Sequence, residues 1–338
     1  MKRISIFLLY LCLVLTAFTS CSKSDSDESA ERETIDFSWD NVPTVTADSV
    51  YVNETMFPWN IVTTDSCLII ASSKTDTVLY MYSLPDLSFK KGGLTIGNGP
   101  AEIPNVNFYS ISWYKDNMLA VPTMLPGNFV VVDAQDLQPV FKETFSLPKE
   151  WGYTQNIYPA TDNTVLVQQG YIPFTWAIID RNGKPFFEME PDVPQSIREA
   201  EQNDEFMRLA INTGFATCNR DKELFAIGYR AFPAIDIYDY HGKIVRRQIL
   251  PYNYVHGKFW LANISSTDSH IYLNMRNAED DDSGSYMIVM DWSGNITGSY
   301  HILRKMSWAA VNESNSTCYY IDADQNDYIY YFKMNTHE

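Results

Sequence analysis

Acidic side chains at a calcium-like spacing lie near the C-terminal end of the chain. Asp322, Asp324 and Asn326 stand at alternate positions, as at the start of a calcium-binding loop with carboxylate and amide ligands. An EF-hand would need Gly at the position of Asp327 and Glu at the position of Lys333, so two of its required residues are missing. We therefore predict a polar turn between two strands here.

A second acidic run, at residues 279–282, has two interpretations: it collects calcium, or it forms a solvated loop between strands. The five histidines show no spacing that indicates a zinc site. The chain also lacks a Gly-x-Ser-x-Gly elbow and a phosphate-binding loop. We predict no cofactor, with calcium as the one alternative.

The elements that would position such residues are indicated by a repeat. Each copy is an apolar run that ends in Asp and leads into a polar turn, as at Asp180, Asp239 and Asp291. Taking positions 83, 133, 180, 239, 291 and 333 as equivalent, the spacings are 50, 47, 59, 52 and 42 residues. Six strand-rich units of this length predict an all-β fold, a six-bladed β-propeller.

The last unit ends just after its third strand, so its outer strand must come from elsewhere. Val50-Tyr51-Val52 is the predicted donor. The longest spacing contains residues 194–211, which are rich in helix-forming residues and begin with Pro. We predict one helical insertion there, between the third and fourth blades.

The N-terminus predicts export and lipid attachment. Lys2 and Arg3 precede an apolar run at residues 4–18, which fits a signal peptide and is too short to span a bilayer. The segment Phe18-Thr19-Ser20-Cys21 resembles a bacterial lipoprotein processing site, in which the cysteine becomes the lipid-bearing N-terminus; a plain secretory signal is the alternative. The predicted boundaries are residues 1–20 for the signal peptide, 21–44 for the lipidated Cys21 and an acidic flexible tether, and 45–338 for the propeller.

The net charge and the predicted location of the protein restrict the kinds of partner it can have. The net charge of −17 argues against nucleic acid and against anionic membrane surfaces as partners. The acidic run after Cys21 is either a surface-export signal, which it resembles, or a solvated spacer. We predict a cell-envelope protein anchored by its lipid to the outer membrane, with the periplasmic and the surface-exposed orientation both open.

Three cysteines remain in the predicted folded part: Cys67, Cys218 and Cys318. All three lie in apolar runs, and an odd number permits at most one disulfide. We predict buried, unreactive thiols.

One motif and a set of tryptophans supply the candidate binding residues. Gly97 and Gly99 allow a tight turn, and Pro100 fixes the next φ angle. Two roles are open for Glu102: a ligand-binding carboxylate in the central channel, or an acceptor for backbone amides that fixes the loop. The tryptophans, about one per blade, either pack between blades or offer aromatic platforms to a sugar or peptide: Trp59, Trp113, Trp151, Trp260 and Trp308. We predict that the working face is the one nearest Glu102 and Trp113.

The segment from Ile96 to Pro104, together with the repeat and the lipoprotein start, resembles the NHL-like and TolB-like six-bladed propeller lipoproteins of Gram-negative gut anaerobes. Ala101 replaces the third Gly of that family's motif, and Ile103 replaces its Phe. The family is largely without assigned function. The resemblance therefore implies a propeller fold and an envelope location, and no activity.

The predicted function is that of a binding or interaction module for a protein, peptide or glycan, without catalysis. A calcium-dependent hydrolase or lyase with a site in the central channel is the alternative. A structural part of a larger outer-membrane complex is a third class.

Overall fold

The computed structural model of the chain describes residues 32–55, 57–124, 127–147, 154–169, 176–189, 214–230, 232–251, 259–277 and 283–335. Within these ranges the strands form six sheets around a central axis. The predicted fold class, an all-β six-bladed β-propeller, is confirmed. Three short strands precede the first blade: β1 (Glu33–Thr34), β2 (Thr44–Val45) and β3 (Asp48–Tyr51).

Blades 1 to 3 follow one another along the chain. Blade 1 consists of β4 (Pro58–Thr63), β5 (Cys67–Ser72), β6 (Thr77–Ser83) and β7 (Phe89–Ile96), with β8 (Glu102–Ile103) parallel to β7. Blade 2 consists of β9 (Ser112–Lys115), β10 (Met118–Pro122), β11 (Asn128–Asp133) and β12 (Pro139–Thr144). Blade 3 consists of β13 (Thr154–Pro159), β14 (Thr164–Gln169), β15 (Trp176–Asp180) and β16 (Pro185–Met189).

Blades 4 to 6 have the same order. Blade 4 consists of β17 (Gly214–Asn219), β18 (Leu224–Tyr229), β19 (Ala234–Asp239) and β20 (Ile244–Ile249). Blade 5 consists of β21 (Phe259–Ser266), β22 (His270–Asn277), β23 (Ser285–Asp291) and β24 (Ile296–Ile302). Blade 6 consists of β25 (Met306–Asn312), β26 (Thr317–Asp322) and β27 (Tyr328–Lys333). The six equivalent positions predicted from the repeat all fall at the end of a third strand, which confirms the repeat.

The fourth strand of blade 6 is β3, as predicted from the sequence. It pairs antiparallel with β27, and Val50 lies opposite Ile329. Strands from the two ends of the chain therefore share one sheet, which gives the last blade its fourth strand.

Hairpin turns between third and fourth strands follow the predicted chemistry. In blade 4 the Asp239 carboxylate accepts hydrogen bonds from the backbone N–H groups of His241 (2.9 Å) and Lys243 (2.8 Å). Gly242 has a φ of +83°, which a residue with a side chain rarely adopts. Asp180 and Asp291 make the same pair of bonds in blades 3 and 5. These residues thus fix each turn locally.

The hydrophobic core is divided into six clusters, each between two adjacent blades. Between blades 1 and 2, for example, Leu79 and Leu119 are both fully buried. Between blades 6 and 1, Tyr319 and Leu68 pack in one cluster, which completes the ring. Because both faces of every blade are apolar, each blade depends on its neighbours to bury them.

Residues 33–47, which include the end of the segment predicted as a tether (residues 21–44), lie against the propeller. We call this segment the strap. β1 pairs parallel with β20 and β2 pairs parallel with β24. The indole of Trp39 donates a hydrogen bond to the carbonyl oxygen of Pro251 (2.6 Å) and packs at the cluster between blades 4 and 5. Apolar residues within a polar segment give the strap its attachment, which composition alone did not indicate.

Some predicted features fall outside the described residues. These are the signal peptide, Cys21, the helical insertion at residues 194–211 and the acidic run at residues 279–282. Within the described ranges the helical segments are short 3-10 turns at Trp39–Asn41, Phe108–Ser110 and Glu313–Asn315. No helix in these ranges is long and apolar enough to cross a membrane.

The predicted polar turn at Asp322 is confirmed. Asp322 accepts hydrogen bonds from the backbone N–H groups of Asp324 (2.8 Å) and Gln325 (3.1 Å), so this acidic segment is a turn.

The three cysteines are free thiols, of which Cys67 and Cys318 are buried as predicted and Cys218 is partly buried. Burial raises the pKa of the Cys218 thiol to about 12, which keeps it protonated and unreactive at neutral pH.

Candidate functional site

The predicted motif around Glu102 lies at the outer edge of blade 1. The Glu102 carboxylate accepts a hydrogen bond from the backbone N–H of Gly99 (2.7 Å). A β-carbon added at Gly97 would lie 2.0 Å from the same carboxylate oxygen, so a larger residue there would displace the Glu102 side chain. Pro100 is exposed at the tip of the turn. Of the two roles left open for Glu102, the geometry is that of an anchor for the loop.

Trp113 lies on β9, the innermost strand of blade 2. Its side chain packs against the cluster between blades 1 and 2, and the residue lines the central channel. Glu102, which follows the outermost strand, does not line it. The structure therefore places Trp113 on the wall of the channel and Glu102 outside it.

A cavity of about 750 Å³ runs along the axis of the ring. Its walls are the innermost strands of the six blades, namely β4, β9, β13, β17, β21 and β25. Because neighbouring strands are antiparallel, the turns between first and second strands all lie at one end of this cavity. We call this the lower end. The crossover loops between blades lie at the other, upper end.

Charged side chains of the cavity wall belong to its lower end. They lie on or next to the turns after the first strands: Asp65, Lys115, Asp116, Arg220, Asp221, Asp268 and Glu313. Arg220 of blade 4 donates hydrogen bonds to the carbonyl oxygen of Tyr114 in blade 2 and to the carboxylate of Asp162 in blade 3 (2.5 Å). Its guanidinium also lies 5.2 Å from the centre of the Tyr114 ring. One side chain thus connects three blades across this end.

Further hydrogen bonds join the other blades at the lower end. Asn312 of blade 6 donates to the carbonyl oxygen of Thr64 in blade 1 (2.9 Å). Glu313 accepts from Thr267 (2.6 Å), His270 (2.7 Å) and Tyr272 (3.0 Å) of blade 5. Burial alone would raise the pKa of Glu313, but these hydrogen bonds outweigh it and hold the pKa below its usual range. The lower end is therefore a network that holds the ring together.

Aromatic side chains surround the upper end. Tyr109, Phe215 and Trp308 line the cavity, and Trp59 packs against both Tyr109 and Phe108. We call these five residues the aromatic mouth. The ring centres of Tyr109 and Trp308 are 6.2 Å apart, and those of Phe215 and Trp308 are 6.0 Å apart. Tyr109 is 47% exposed and Trp59 is 38% exposed, so the mouth offers apolar surface to solvent.

Polar side chains without partners lie on the same wall. Asn263 on β21 is only 1% exposed, and neither its amide oxygen nor its amide nitrogen has a hydrogen-bond partner among the described residues. The hydroxyl oxygens of Ser112 and Ser265 are unpaired as well. Asn263 follows a β-bulge in β21 just as Trp308 does in β25, which places the two at the same level of adjacent blades. Buried amides without partners are rare and call for an explanation.

Two of the predicted tryptophans, Trp59 and Trp308, belong to the aromatic mouth. Trp151 lies outside the described residues, and Trp260 lies on β21. Sequence reasoning missed Tyr109, Phe215 and Asn263. The regular recurrence of tryptophan along the sequence indicated Trp59 and Trp308. Tyr109, Phe215 and Asn263 share no motif that could have indicated them.

The arrangement offers no preformed metal site in the described part of the chain. No three Asp, Glu, His or Cys side chains lie close enough together there to hold an ion. The carboxylates of the lower end are spread over separate blades and include two, Asp162 and Glu313, that already pair with basic or hydroxyl groups. What the described residues offer to a ligand is aromatic surface at the upper end.

Comparison with known families agrees with this architecture. The chain belongs to the TolB-like 6-blade propeller-like family, whose model matches residues 37–268. The predicted family resemblance is thereby confirmed for the TolB-like propellers.

Solved structures show the same fold at low identity. A member of the DUF4221 family from Bacteroides vulgatus is 10% identical, with a TM-score of 0.55 over 86% of this chain and 96% of that one. The structure of U3-55K is 8% identical, with a TM-score of 0.54 over 87% and 100%. A chain of the mitotic checkpoint complex is 10% identical, with a TM-score of 0.51 over 90% and 99%. Among curated proteins, no relative matches this chain.

Proposed function

We propose that this protein is a binding module of the bacterial cell envelope, without catalysis or a resident cofactor, that holds a protein, peptide or glycan at the aromatic mouth. The observation that carries the proposal is the cavity of about 750 Å³ that is walled by all six blades and opens between exposed aromatic rings. Pockets of roughly 300–1,000 Å³ with aromatic walls and a few polar groups are typical ligand sites.

The difference between the two ends of the cavity supports entry from the aromatic side. At the lower end, Arg220, Asn312 and Glu313 bridge neighbouring blades with hydrogen bonds. A ligand entering there would have to break interactions that stabilise the ring. At the aromatic mouth it would instead cover apolar surface that is now exposed, which is favourable.

The envelope location rests on the N-terminal sequence. The apolar run at residues 4–18 and the cysteine that follows it fit a lipidated protein anchored to the outer membrane, facing the periplasm or the exterior. A lipid on Cys21 would be followed by a short polar segment and then by the strap, so the propeller would be held close to the membrane.

A photo-crosslinking experiment tests the ligand site. Tyr109 is replaced by a benzophenone amino acid in the full chain, and intact cells that make the protein are irradiated. Benzophenone inserts into C–H bonds of proteins and glycans alike, so either kind of ligand gives an adduct of higher mass. We expect an adduct at position 109.

The matched control carries the same probe at Phe186, which is 59% exposed on the outer strand of blade 3. We expect no specific adduct there. An absence of adducts at position 109, or the same adducts at both positions, would contradict the proposed site.

A further inference from the structure

We infer that β3, the outermost strand of blade 6, binds an extended basic segment of a partner protein, which adds to the blade as a fifth strand parallel to β3. The site lies on the rim of the propeller, whereas the aromatic mouth surrounds its axis. The inference therefore goes beyond the proposed function and does not depend on it. It is carried by the backbone groups of β3, by strands that occupy the same place on other blades, and by the side chains around this edge.

The hydrogen-bond pattern of β3 leaves alternate backbone groups at its outer side. β3 pairs with β27 in a continuous antiparallel register, with Tyr51 opposite Tyr328. In the same register the N–H of Val52 donates to the carbonyl oxygen of Asp327 (2.9 Å). Residues in an antiparallel pair alternate between bonding to the partner strand and pointing away from it. Ser49 and Tyr51 therefore present their N–H and C=O groups at the outer side, and both residues are exposed.

Strands of the chain itself occupy the equivalent edge of three other blades. β8 pairs parallel with the last two residues of β7, β1 with those of β20, and β2 with those of β24. The contacts are backbone hydrogen bonds: the N–H of Ile35 donates to the carbonyl oxygen of Ile249 (3.0 Å), and the N–H of His301 donates to that of Pro43 (2.9 Å). The outer edge of a blade in this propeller therefore accepts an added parallel strand, and on β3 no described residue takes that place.

The residues that are paired in this way identify the edges that accept a strand. They carry no carboxylate, ammonium or guanidinium group and end in isoleucine: Thr95-Ile96, Gln248-Ile249 and His301-Ile302. β3 likewise ends in an uncharged pair, Val50-Tyr51. The two other outer strands without an added strand in the described ranges, β12 and β16, begin with proline and place Glu143 and Glu188 in their last two residues. Proline and charged side chains on an edge disfavour strand addition, so β3 is the receptive edge.

An exposed aromatic pair stands beside this edge. Tyr51 is 58% exposed and Tyr328 is 37% exposed, and their ring centres are 5.4 Å apart in an edge-to-face arrangement. Because side chains of neighbouring strands meet on the face of a sheet, an added strand would bring its own side chains against these rings. Burial of the pair favours an aromatic or aliphatic partner residue. Strand addition of this kind draws affinity from main-chain hydrogen bonds and specificity from such side-chain contacts.

The charges around the edge favour a basic segment over a second copy of this chain. Asp48 begins β3 and Asp327 immediately precedes β27, and both are exposed. Lys333 of β27 donates hydrogen bonds within its own blade, to the carbonyl oxygen of Asn315 and the hydroxyl of Thr317 (2.8 Å each). A second copy would bring another net charge of −17 to this acidic edge. A segment with Lys or Arg beside its apolar residue is complementary to it.

Peptide selection on the purified full chain tests the inference. Random dodecapeptides displayed on phage are selected on the wild-type chain and depleted on the Ser49→Pro variant. The N–H of Ser49 points outward, so proline at this position removes a donor of the edge and leaves the pairing with β27 intact. We expect the selected peptides to be rich in β-branched and aromatic residues, with Lys or Arg beside them.

Variants and hydrogen exchange then locate the selected peptide on the protein. Ser49→Pro should weaken its binding by at least about tenfold, whereas Ser49→Ala, the matched control, should leave it unchanged. Ser49→Lys keeps the backbone donor and adds a positive charge, so it should weaken binding even if the proline variant has a folding defect. Tyr51→Ala should weaken binding because it removes one ring of the pair. The bound peptide should slow amide exchange in residues 48–52.

Three results would overturn the inference: no peptide that distinguishes the wild-type chain from both Ser49→Pro and Ser49→Lys, selected peptides that are acidic, and unchanged exchange in β3. A dimer in sedimentation that Ser49→Pro abolishes would assign the edge to a second copy of the chain instead. Crosslinking at position 109 reports on the aromatic mouth and should be the same in the Ser49→Pro variant. Failure of this inference and failure of the proposed function are therefore distinguishable.

Discussion

Arg220 shows how one side chain can define an end of the channel. Arg220 belongs to blade 4, and its side chain contacts Tyr114 of blade 2 and Asp162 of blade 3. The hydrogen bond from Arg220 holds the pKa of Asp162 below its usual range. Exposed ion pairs contribute little to stability, so the importance of Arg220 is geometric. Its hydrogen bonds connect the innermost strands of three blades at the lower end of the cavity.

Glu102 illustrates a residue whose position decides its role. Glu102→Ala removes the acceptor for the N–H of Gly99, and we expect a loss of about 1 kcal/mol in the free energy of unfolding. Ligand capture at position 109 should be unchanged, because Glu102 lies outside the cavity. Denaturant unfolding and the crosslinking assay measure the two effects. Glu102→Gln, which keeps an acceptor oxygen, is the matched control and should lose less.

The opposite pattern, lost capture with unchanged stability, would return Glu102 to the role of a ligand-binding carboxylate. That result would also conflict with its place outside β7 at the edge of blade 1.

At the scale of the elements, the sequence predicts the features that depend on contacts between neighbouring residues. The Asp–Gly turns are fixed by hydrogen bonds that span two to four residues, as from Asp291 to Ser293 and Asn295, so a single window of sequence contains the whole cause. The repeat of these turns was enough to predict six blades and the strand that closes the ring.

The candidate site depends on contacts between residues that lie far apart in the sequence. Tyr109 and Phe215 both meet Trp308, although about 200 and 90 residues separate them along the chain. Their meeting follows from the closure of the ring, which brings blades 2, 4 and 6 to one axis. The strap was missed for a related reason. Its apolar side chains, Phe37 and Trp39, are too few for a pattern and are explained only by the clusters they cover.

The strand β3 is the element on which ring closure depends. Val50 packs at the cluster between blades 6 and 1, whereas Ser49 on the same strand is exposed. We expect Val50→Asp to lower the free energy of unfolding by about 1–3 kcal/mol, because it places a charge at an apolar contact. Ser49→Asp, the matched control, should change it by less than about 0.5 kcal/mol. Denaturant titration followed by fluorescence measures both.

Because each blade is stabilised by its neighbours, the loss in Val50→Asp should appear in a single transition for the whole propeller. An early, separate transition with the remainder unaffected would show that blade 6 closes the ring without supporting it.

At the scale of the whole molecule, the two ends of the cavity differ. Among the described residues, the lower end carries the hydrogen bonds that connect blades, and the upper end carries exposed aromatic surface. Under the proposed function, ligand contacts could therefore change at the upper end without loosening the ring. This division is what makes a propeller suited to a binding module, and it locates the variable part of such a protein in its crossover loops.

The distribution of carboxylates over the described residues bears on the calcium-dependent alternative. Every blade carries at least one acidic residue in the turn after its first strand, and blade 4 carries two: Asp65, Asp116, Asp162, Asp221, Glu223, Asp268 and Glu313. Spread around a ring in this way, they attract cations diffusely and do not form a coordination sphere. We therefore expect calcium and magnesium at equal concentration to change the melting temperature equally, and a chelator to have no effect.

A specific calcium site would behave differently. At a hundred times its dissociation constant, calcium would add about 2.7 kcal/mol to stability, and magnesium would not reproduce the shift. Such a result would favour the hydrolase or lyase alternative. It would also direct substitution first to Asp280, Asp281 and Asp282, because the carboxylates in the described part of the chain do not assemble an ion site. A shift that persisted in the Asp281→Asn variant would in turn place the calcium elsewhere, whereas its loss would identify this acidic run as the source of the ligands.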